Sequence, residues 1–297
     1  MSDRKGAEAA IRALLIEAKA GDLGDVGDPV RISPLSGGSI NQVYRVETTA
    51  GNTLLAKLRP DAPPGFFSAE RIGLETLRQP DALVIPHVFA ASKEGILMKW
   101  LEPSPEREAA VAETLGRALA AIHRHTAPAY GFESDNFIGL LPQSNDVTPS
   151  WTAFYRDRRL APQFRLARQL GRMTPERDRM AAHLLDRLSR WIDESEVAPS
   201  LIHGDLWSGN WIASVKGPAL IDPAVYYGDR EVDLAMARLF GGFPDRFWSA
   251  YAEAWPLRPG WEERLALYQL YYLLVHLNLF GESYGPSVDR ILRRYAS

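Results

Sequence analysis

At 297 residues and 46% hydrophobic, the chain is long enough for two domains with a core each and too apolar to be a disordered chain. Its 34 Lys and Arg against 37 Asp and Glu leave a net charge of -3, which gives no attraction toward nucleic acid or an anionic membrane surface and suits a small-molecule partner. The absence of cysteine excludes disulfides, thiolate metal sites and a cysteine nucleophile, and fits a reducing cytoplasm.

The first twenty residues space Ile11, Leu14, Leu15 and Ala18 as the apolar face of an amphipathic helix, and their acidic residues do not suit a signal peptide. GDLGDVGDP (21–29) is dense in Gly and Asp but does not match GxGxxG, and reads as a surface turn. Three short strands follow, Val30 to Leu35, Gln42 to Thr48 and Thr53 to Leu58, separated by SGGS and AGN as in an antiparallel meander. A proline-bounded helix over 64–80 places Phe67, Leu74 and Leu77 on one face with Glu70 in the same arc. HVFAAS and GILMKWL supply two more strands. Pro105 after Ser104 then opens a long helix that buries Val111, Leu115, Ala118, Leu119 and Ile122, and the chain is mostly helical beyond it. The expected plan is α+β with two lobes, a five-stranded nucleotide-binding lobe over 1–101 and a helical lobe over 102–297, with a cleft where the composition switches. The longest apolar run near the C-terminus, Leu270 to Val275, is too short to span a bilayer, so the chain reads as soluble and cytoplasmic.

LIHGDLWSGNWIASVKGPALIDPA (201–224) concentrates the polar residues His203, Asp205, Asn210 and Asp222 between apolar runs. Asp205 and Asn210 have the spacing of Asp and Asn in the protein-kinase loop H-R-D-L-x-x-x-N. In that chemistry one Asp accepts or orients the proton of the acceptor hydroxyl, while an amide oxygen and a second carboxylate, here Asn210 and Asp222, hold magnesium on the nucleotide phosphates. The cofactors so implied are ATP and Mg2+. A His and an Asp can also merely cap a turn, but Asn210 and Asp222 at these positions make that reading a poor account of the segment.

Two further parts are required upstream. Gly37, Gly38 and Ser39 sit in a strand-turn-strand context where backbone N–H groups can approach phosphate. Lys57 lies mid-strand, where a charge needs a partner, and Glu70 of the next helix can supply it, the pair then anchoring the phosphates as in kinases. Lys99, Trp100 and Leu101 fall where a hinge between lobes would offer backbone groups to adenine. A protein kinase also needs D-F-G, an activation segment and A-P-E, but here Asp222-Pro223-Ala224 is followed almost at once by a helix, and Gly204 replaces the kinase arginine.

The chain resembles the fructosamine kinase (ketosamine-3-kinase) family of the aminoglycoside phosphotransferase-like, protein-kinase-like fold. The resemblance is carried by HGDLWSGN (203–210), IDPAVYYGDREVDLAMARLFGGF (221–243), YGFESDNFIG (130–139) with PQSN (142–145), WTAFYRDRRLAPQFRLA (151–167) and FFSAERIGLETL (66–77). It implies phosphorylation of the 3-hydroxyl of fructosyl- or ribosyl-lysine, a product that releases its amine, Asp205 as base, and Asp233 as a buttress of the catalytic loop together with His203. Several relatives carry a cysteine in the glycine-rich loop where this chain has Ser39, so thiol-based control of that loop is excluded here. The alternatives are a kinase of the same fold acting on an aminoglycoside, choline or a sugar, and a nucleotide-binding pseudokinase, against which the intact Lys57, Asp205, Asn210 and Asp222 argue.

Trp207, two residues after Asp205, is expected to stack on the acceptor sugar. His276 and Asn278 interrupt the apolar C-terminal helix and are candidates for the same acceptor. Trp151, Phe154 and Tyr155 are expected in the core, and His123 and His125 in solvated or capping roles. The only carboxylates near the C-terminus that could meet a polycationic acceptor are Glu282 and Asp289.

Overall fold

The structure is a computed structural model that describes residues 2–21, 26–35, 41–104 and 108–295. Helix α1 (Ser2–Ala20) precedes strands β1 (Pro29–Leu35), β2 (Gln42–Thr48) and β3 (Thr53–Leu58). Helix α2 (Phe66–Arg78) and strands β4 (Val88–Ala91) and β5 (Gly95–Lys99) complete a five-stranded sheet of order β1-β2-β3-β5-β4, with antiparallel neighbours throughout. The meander and the inserted helix are as the sequence leads one to expect, the helix being trimmed to Phe66–Arg78.

The two faces of the sheet follow from the two-residue period of a strand. Leu54, Ala56 and Leu58 of β3 face α1 and pack with Ile11, Leu14, Leu15 and Ala18, so the N-terminal helix exists to cover that face. Leu55 faces the opposite side, and Ile96 and Met98 of β5 pack there with Phe67, Leu74 and Leu77 of α2. Lys57, two residues from Leu55, therefore projects on the α2 side, opposite Ile96 in the register. Each of these fully buried Leu, Ile and Phe side chains contributes roughly 1.5–3 kcal/mol.

The second lobe starts with α3 (Glu108–His123), whose expected apolar face is buried. A short hairpin, β6 (Asn136–Ile138) and β7 (Leu141–Gln143), precedes α4 (Trp151–Phe154), which runs through a π-helical turn (Tyr155–Leu160) into α5 (Ala161–Gln169). Trp151, Phe154 and Tyr155 are fully buried there, as expected of core residues. After α6 (Pro175–Asp186) come β8 (Ser200–Ile202), β9 (Trp211–Ser214), β10 (Gly217–Leu220) and β11 (Tyr226–Gly228), with β9 paired to β10 and β8 to β11. Helices α7 (Glu231–Leu239), α8 (Asp245–Ala254), α9 (Trp261–Phe280) and α10 (Gly285–Tyr295) close the lobe. Gly116 of α3 lets α8 approach closely, since a Cβ there would run into the Phe247 carbonyl.

The lobes are joined by backbone and by core. The amide of Ser104 bonds to the Ala213 carbonyl at 2.8 Å and that of Val215 to the Glu102 carbonyl at 3.0 Å. The cluster under α2 continues into Leu115, Leu119, Leu201, Leu220 and Phe247, so the cleft opens to one side of a shared core. Among the described residues no helix is long and apolar enough to cross a membrane.

Candidate active site

The segment after β8 is held by contacts that sequence spacing alone does not show. Asp233, fully buried in the first turn of α7, accepts the amide of His203 at 2.7 Å and that of Gly204 at 2.8 Å. Gly204 adopts φ 83°, and a Cβ there would run into the Ala224 carbonyl, so the turn between β8 and Asp205 calls for glycine. Tyr272 of α9 donates its hydroxyl to the Gly204 carbonyl at 2.8 Å. His203 donates from Nε2 to the Ile221 carbonyl at 2.8 Å, which leaves Nδ1 to accept the Asp205 amide at 3.2 Å. Burial lowers the His203 pKa, in keeping with this neutral tautomer. His203 and Asp233 thus both bond to backbone of the segments around Asp205 and Asp222.

His123 corrects the expectation of a solvated or capping residue. It is buried at the end of α3, with Nε2 3.1 Å from Asp233 and Nδ1 2.8 Å from the Tyr251 hydroxyl. A signal existed: 119, 122 and 123 lie on one helical arc, and Leu119 and Ile122 are core residues. Nothing in the sequence marks Tyr272, which lies inside an apolar helix.

Asp205 is partly exposed to a cleft of about 590 Å³. Burial raises its pKa to about 7; a hydrogen bond from Asn210 opposes the rise and the negative charge of Asp233 adds to it. Asn210 Nδ2 donates to the Asp205 carbonyl at 2.8 Å and to its carboxylate at 3.1 Å, so the side-chain oxygen of Asn210 is the atom left to ligate. Asp222 stands at φ 54°, one residue beyond Ile221, whose amide bonds to the Asn210 carbonyl at 3.0 Å. Both lie on the cleft wall. Their donors are hard oxygens, as magnesium requires, and among the described residues no cluster of three His, Cys, Asp or Glu could hold a metal unaided. The set fits an ion whose remaining ligands are phosphate and water.

Lys57 Nζ lies 2.6 Å from Glu70 Oε1, both groups being buried, and also contacts the Asp222 carboxylate. One cation therefore ties β3, α2 and the loop after β10 together. Gly37, Gly38 and Ser39 lie outside the described residues; Asn41 and Val43 just beyond them line the cleft. Of the expected hinge residues, Lys99 already donates its amide to the His87 carbonyl at 2.8 Å and Trp100 to that of Thr53 at 3.4 Å. This narrows the amide donors of that segment to Leu101.

Trp207, Phe240, His276 and Phe280 also form part of the cleft wall. Trp207 is 39% exposed, and its ring lies over Gly209, where a Cβ would collide with it. His276 has Nδ1 2.8 Å from the Tyr272 carbonyl, which makes Nδ1 the protonated nitrogen and Nε2 an acceptor. Burial lowers its pKa, and Phe240, Phe280 and Tyr284 surround the ring with centroids 4.9, 5.5 and 5.0 Å away. Asn278 does not belong to this wall: its amide donates to the backbone and side chain of Gln163 at 2.9 Å, so one residue pair at i, i+2 on a helix points two ways. Glu282 and Asp289 are paired with Arg177, each at 2.7 Å, and line no part of the cleft.

Comparison with known proteins identifies the family. The sequence model of the fructosamine kinase family matches residues 17–297. A probable ketoamine kinase of Enterococcus faecium is 41% identical over 272 residues, covering 89% of this chain and 95% of its own. The chloroplastic protein-ribulosamine 3-kinase of Arabidopsis thaliana is 35% identical over 292 residues, 95% of this chain and 86% of its own. A crystal structure of a candidate fructosamine-3-kinase from Thermobifida fusca superposes with a TM-score of 0.86 at 34% identity, covering 95% of this chain and 98% of that one.

Proposed function

The chain belongs to the fructosamine kinase family and is an ATP-dependent phosphotransferase acting on ketosamines; from that premise we propose that it phosphorylates the 3-hydroxyl of fructosyl- or ribosyl-lysine with Asp205 as the base. The observation that carries the residue assignment is the meeting of two sets in one cleft. Lys57 is linked to Glu70 and Asp222, Asn210 is linked to Asp205, and all five line the same cleft.

In this reading Asp205 takes the proton of the 3-hydroxyl as that oxygen bonds to the γ-phosphorus. The bond from the γ-phosphorus to the bridging oxygen breaks, ADP leaves, and Asp205 returns its proton to solvent. Lys57, held by Glu70, positions the α- and β-phosphates. Magnesium held by Asn210 and Asp222 would neutralise the charge on the phosphates. Gly37, Gly38 and Ser39 would cradle them, and Lys99 to Leu101 would receive the adenine, chiefly through the Leu101 amide and the carbonyls. Asp233, His203 and His123 fix the backbone from which Asp205 projects.

For the acceptor, the open face of Trp207 suits the C–H side of a sugar ring. His276 offers one lone pair to a hydroxyl or to the protonated amine of the ketosamine. The two C-terminal carboxylates that could have met a polycation, Glu282 and Asp289, are paired with Arg177, which speaks against an aminoglycoside. A phosphate at C3 lies next to the C2 carbonyl, so enolisation expels it and hydrolysis of the resulting imine frees the amine. The protein would then reverse glycation in the cytoplasm. We also place the lobe boundary between residues 101 and 102. Steady-state ADP release with ribosyl-lysine, lost in Asp205→Asn, tests the reading.

A further inference from the structure

The β6–β7 hairpin is used by none of the steps above, yet it reaches the loop that carries Asp222. Its two amide side chains, Asn136 and Gln143, are buried, at 6% and 2% exposure. Asn136 Nδ2 donates to the Val225 carbonyl at 2.7 Å. Gln143 Nε2 donates to Asn136 Oδ1 at 2.7 Å and to the Ala224 carbonyl at 3.3 Å. Tyr271 of α9 closes the chain by donating its hydroxyl to Gln143 Oε1 at 2.6 Å. Carbonyls only accept, so both amide nitrogens must face the loop and the order of donors is forced. The series ends on the two peptide units that follow Asp222 and Pro223.

The same hairpin touches α2. The ring of Phe137, on the opposite side of the strand from Asn136, lies 5.3 Å from that of Phe66 at the start of α2. Farther along α2, a Cβ at Gly73 would stand 3.0 Å from Pro223. One element thus braces both the helix that carries Glu70 and the loop that carries Asp222. That loop needs bracing, because Asp222 holds a left-handed backbone that persists in a non-glycine residue only when its surroundings fix it.

We propose that Asn136 and Gln143 are positioning residues that hold the Asp222–Val225 loop ready for the metal-nucleotide, a task performed without an activation segment. The proposal rests on the reading of Asp222 as a metal ligand. Groups that hold a ligating side chain from behind typically alter metal affinity or activity by roughly 10- to 100-fold when removed.

The test is calorimetric titration of the full-length protein with MgADP, and with ADP in the presence of a chelator, for Asn136→Ala, Gln143→Ala, Tyr271→Phe and Asp222→Asn. Amide hydrogen exchange across 222–226 is measured in parallel. Asn136→Ala and Gln143→Ala are expected to weaken MgADP by roughly 10- to 100-fold, leave metal-free ADP within about twofold, and speed exchange in the loop. Tyr271→Phe, nearly isosteric, should move both readouts the same way by less, and carries the test should an alanine variant fail to fold. Loss of MgADP binding in Asp222→Asn with unchanged binding and exchange in the hairpin variants would overturn the proposal alone. Unchanged MgADP binding in all four would remove the metal reading and the proposal with it.

Discussion

The carboxylate of Asp233 accepts the backbone amide of His203 at 2.7 Å, across thirty positions of sequence, and its other oxygen accepts the next amide. One buried carboxylate at the start of α7 therefore helps to hold the backbone that leads to Asp205. Asp233→Asn keeps the shape but turns an amide NH2 toward one of those donors. We expect a stability loss of about 1–3 kcal/mol, the cost of an unsatisfied buried group. The turnover number should fall as well, and melting curves beside steady-state kinetics check both.

Asp205→Asn should lower turnover by roughly 10²- to 10⁴-fold, the contribution of a positioned general base, while leaving ATP binding nearly intact. The pH profile follows from the same residue. Burial lifts its pKa to about 7, and the carboxylate is the working form, so wild-type turnover should fall as pH drops through that region. A limb that rises toward acid would contradict the assignment.

Lys57 and Glu70 allow stability and function to be separated. Lys57→Met leaves Glu70 buried without its cation, and breaking a buried pair costs about 3–5 kcal/mol. Adding Glu70→Leu removes the stranded charge, so the double variant should regain much of the lost melting temperature. It should remain inactive, because nothing replaces the ammonium on the phosphates. A double variant with restored turnover would show that the pair is structural only.

Trp207→Ala should raise the Michaelis constant for the ketosamine by at least about tenfold and leave that for ATP unchanged, if the exposed ring on the cleft wall stacks on the acceptor sugar as proposed. His276→Ala should act in the same direction, and Asn278→Ala should not, because Asn278 is bonded to Gln163. Matched kinetic constants for the three variants check this.

Much of this was legible in the sequence because local rules and chemistry agreed. Alternation in TLLAKL put Lys57 on the face opposite Ala56, and the spacing of Glu70 with Phe67 and Leu74 put it on the same side of the sheet. Asp205, Asn210 and Asp222 share one short segment, and all three line the cleft. What escaped depended on long-range packing. Tyr272 meets the Gly204 carbonyl from 68 positions away and His123 meets Asp233, which holds the same turn, from 110 positions away, and no period of their own helices names the partner. The divergence of His276 and Asn278 follows from helix geometry, which separates i and i+2, but which of them faces the cleft depends on where α5 packs.

The central claim is tested most directly by the identity of the phosphorylated product. Incubating the protein with MgATP and ribosyl- or fructosyl-lysine and following the mixture by phosphorus and proton NMR reads both turnover and position. The account predicts ADP together with a single sugar phosphate at the 3-position that decays to free lysine, with little or no phosphate transfer to kanamycin. Phosphate at another hydroxyl, or comparable transfer to kanamycin, would contradict it.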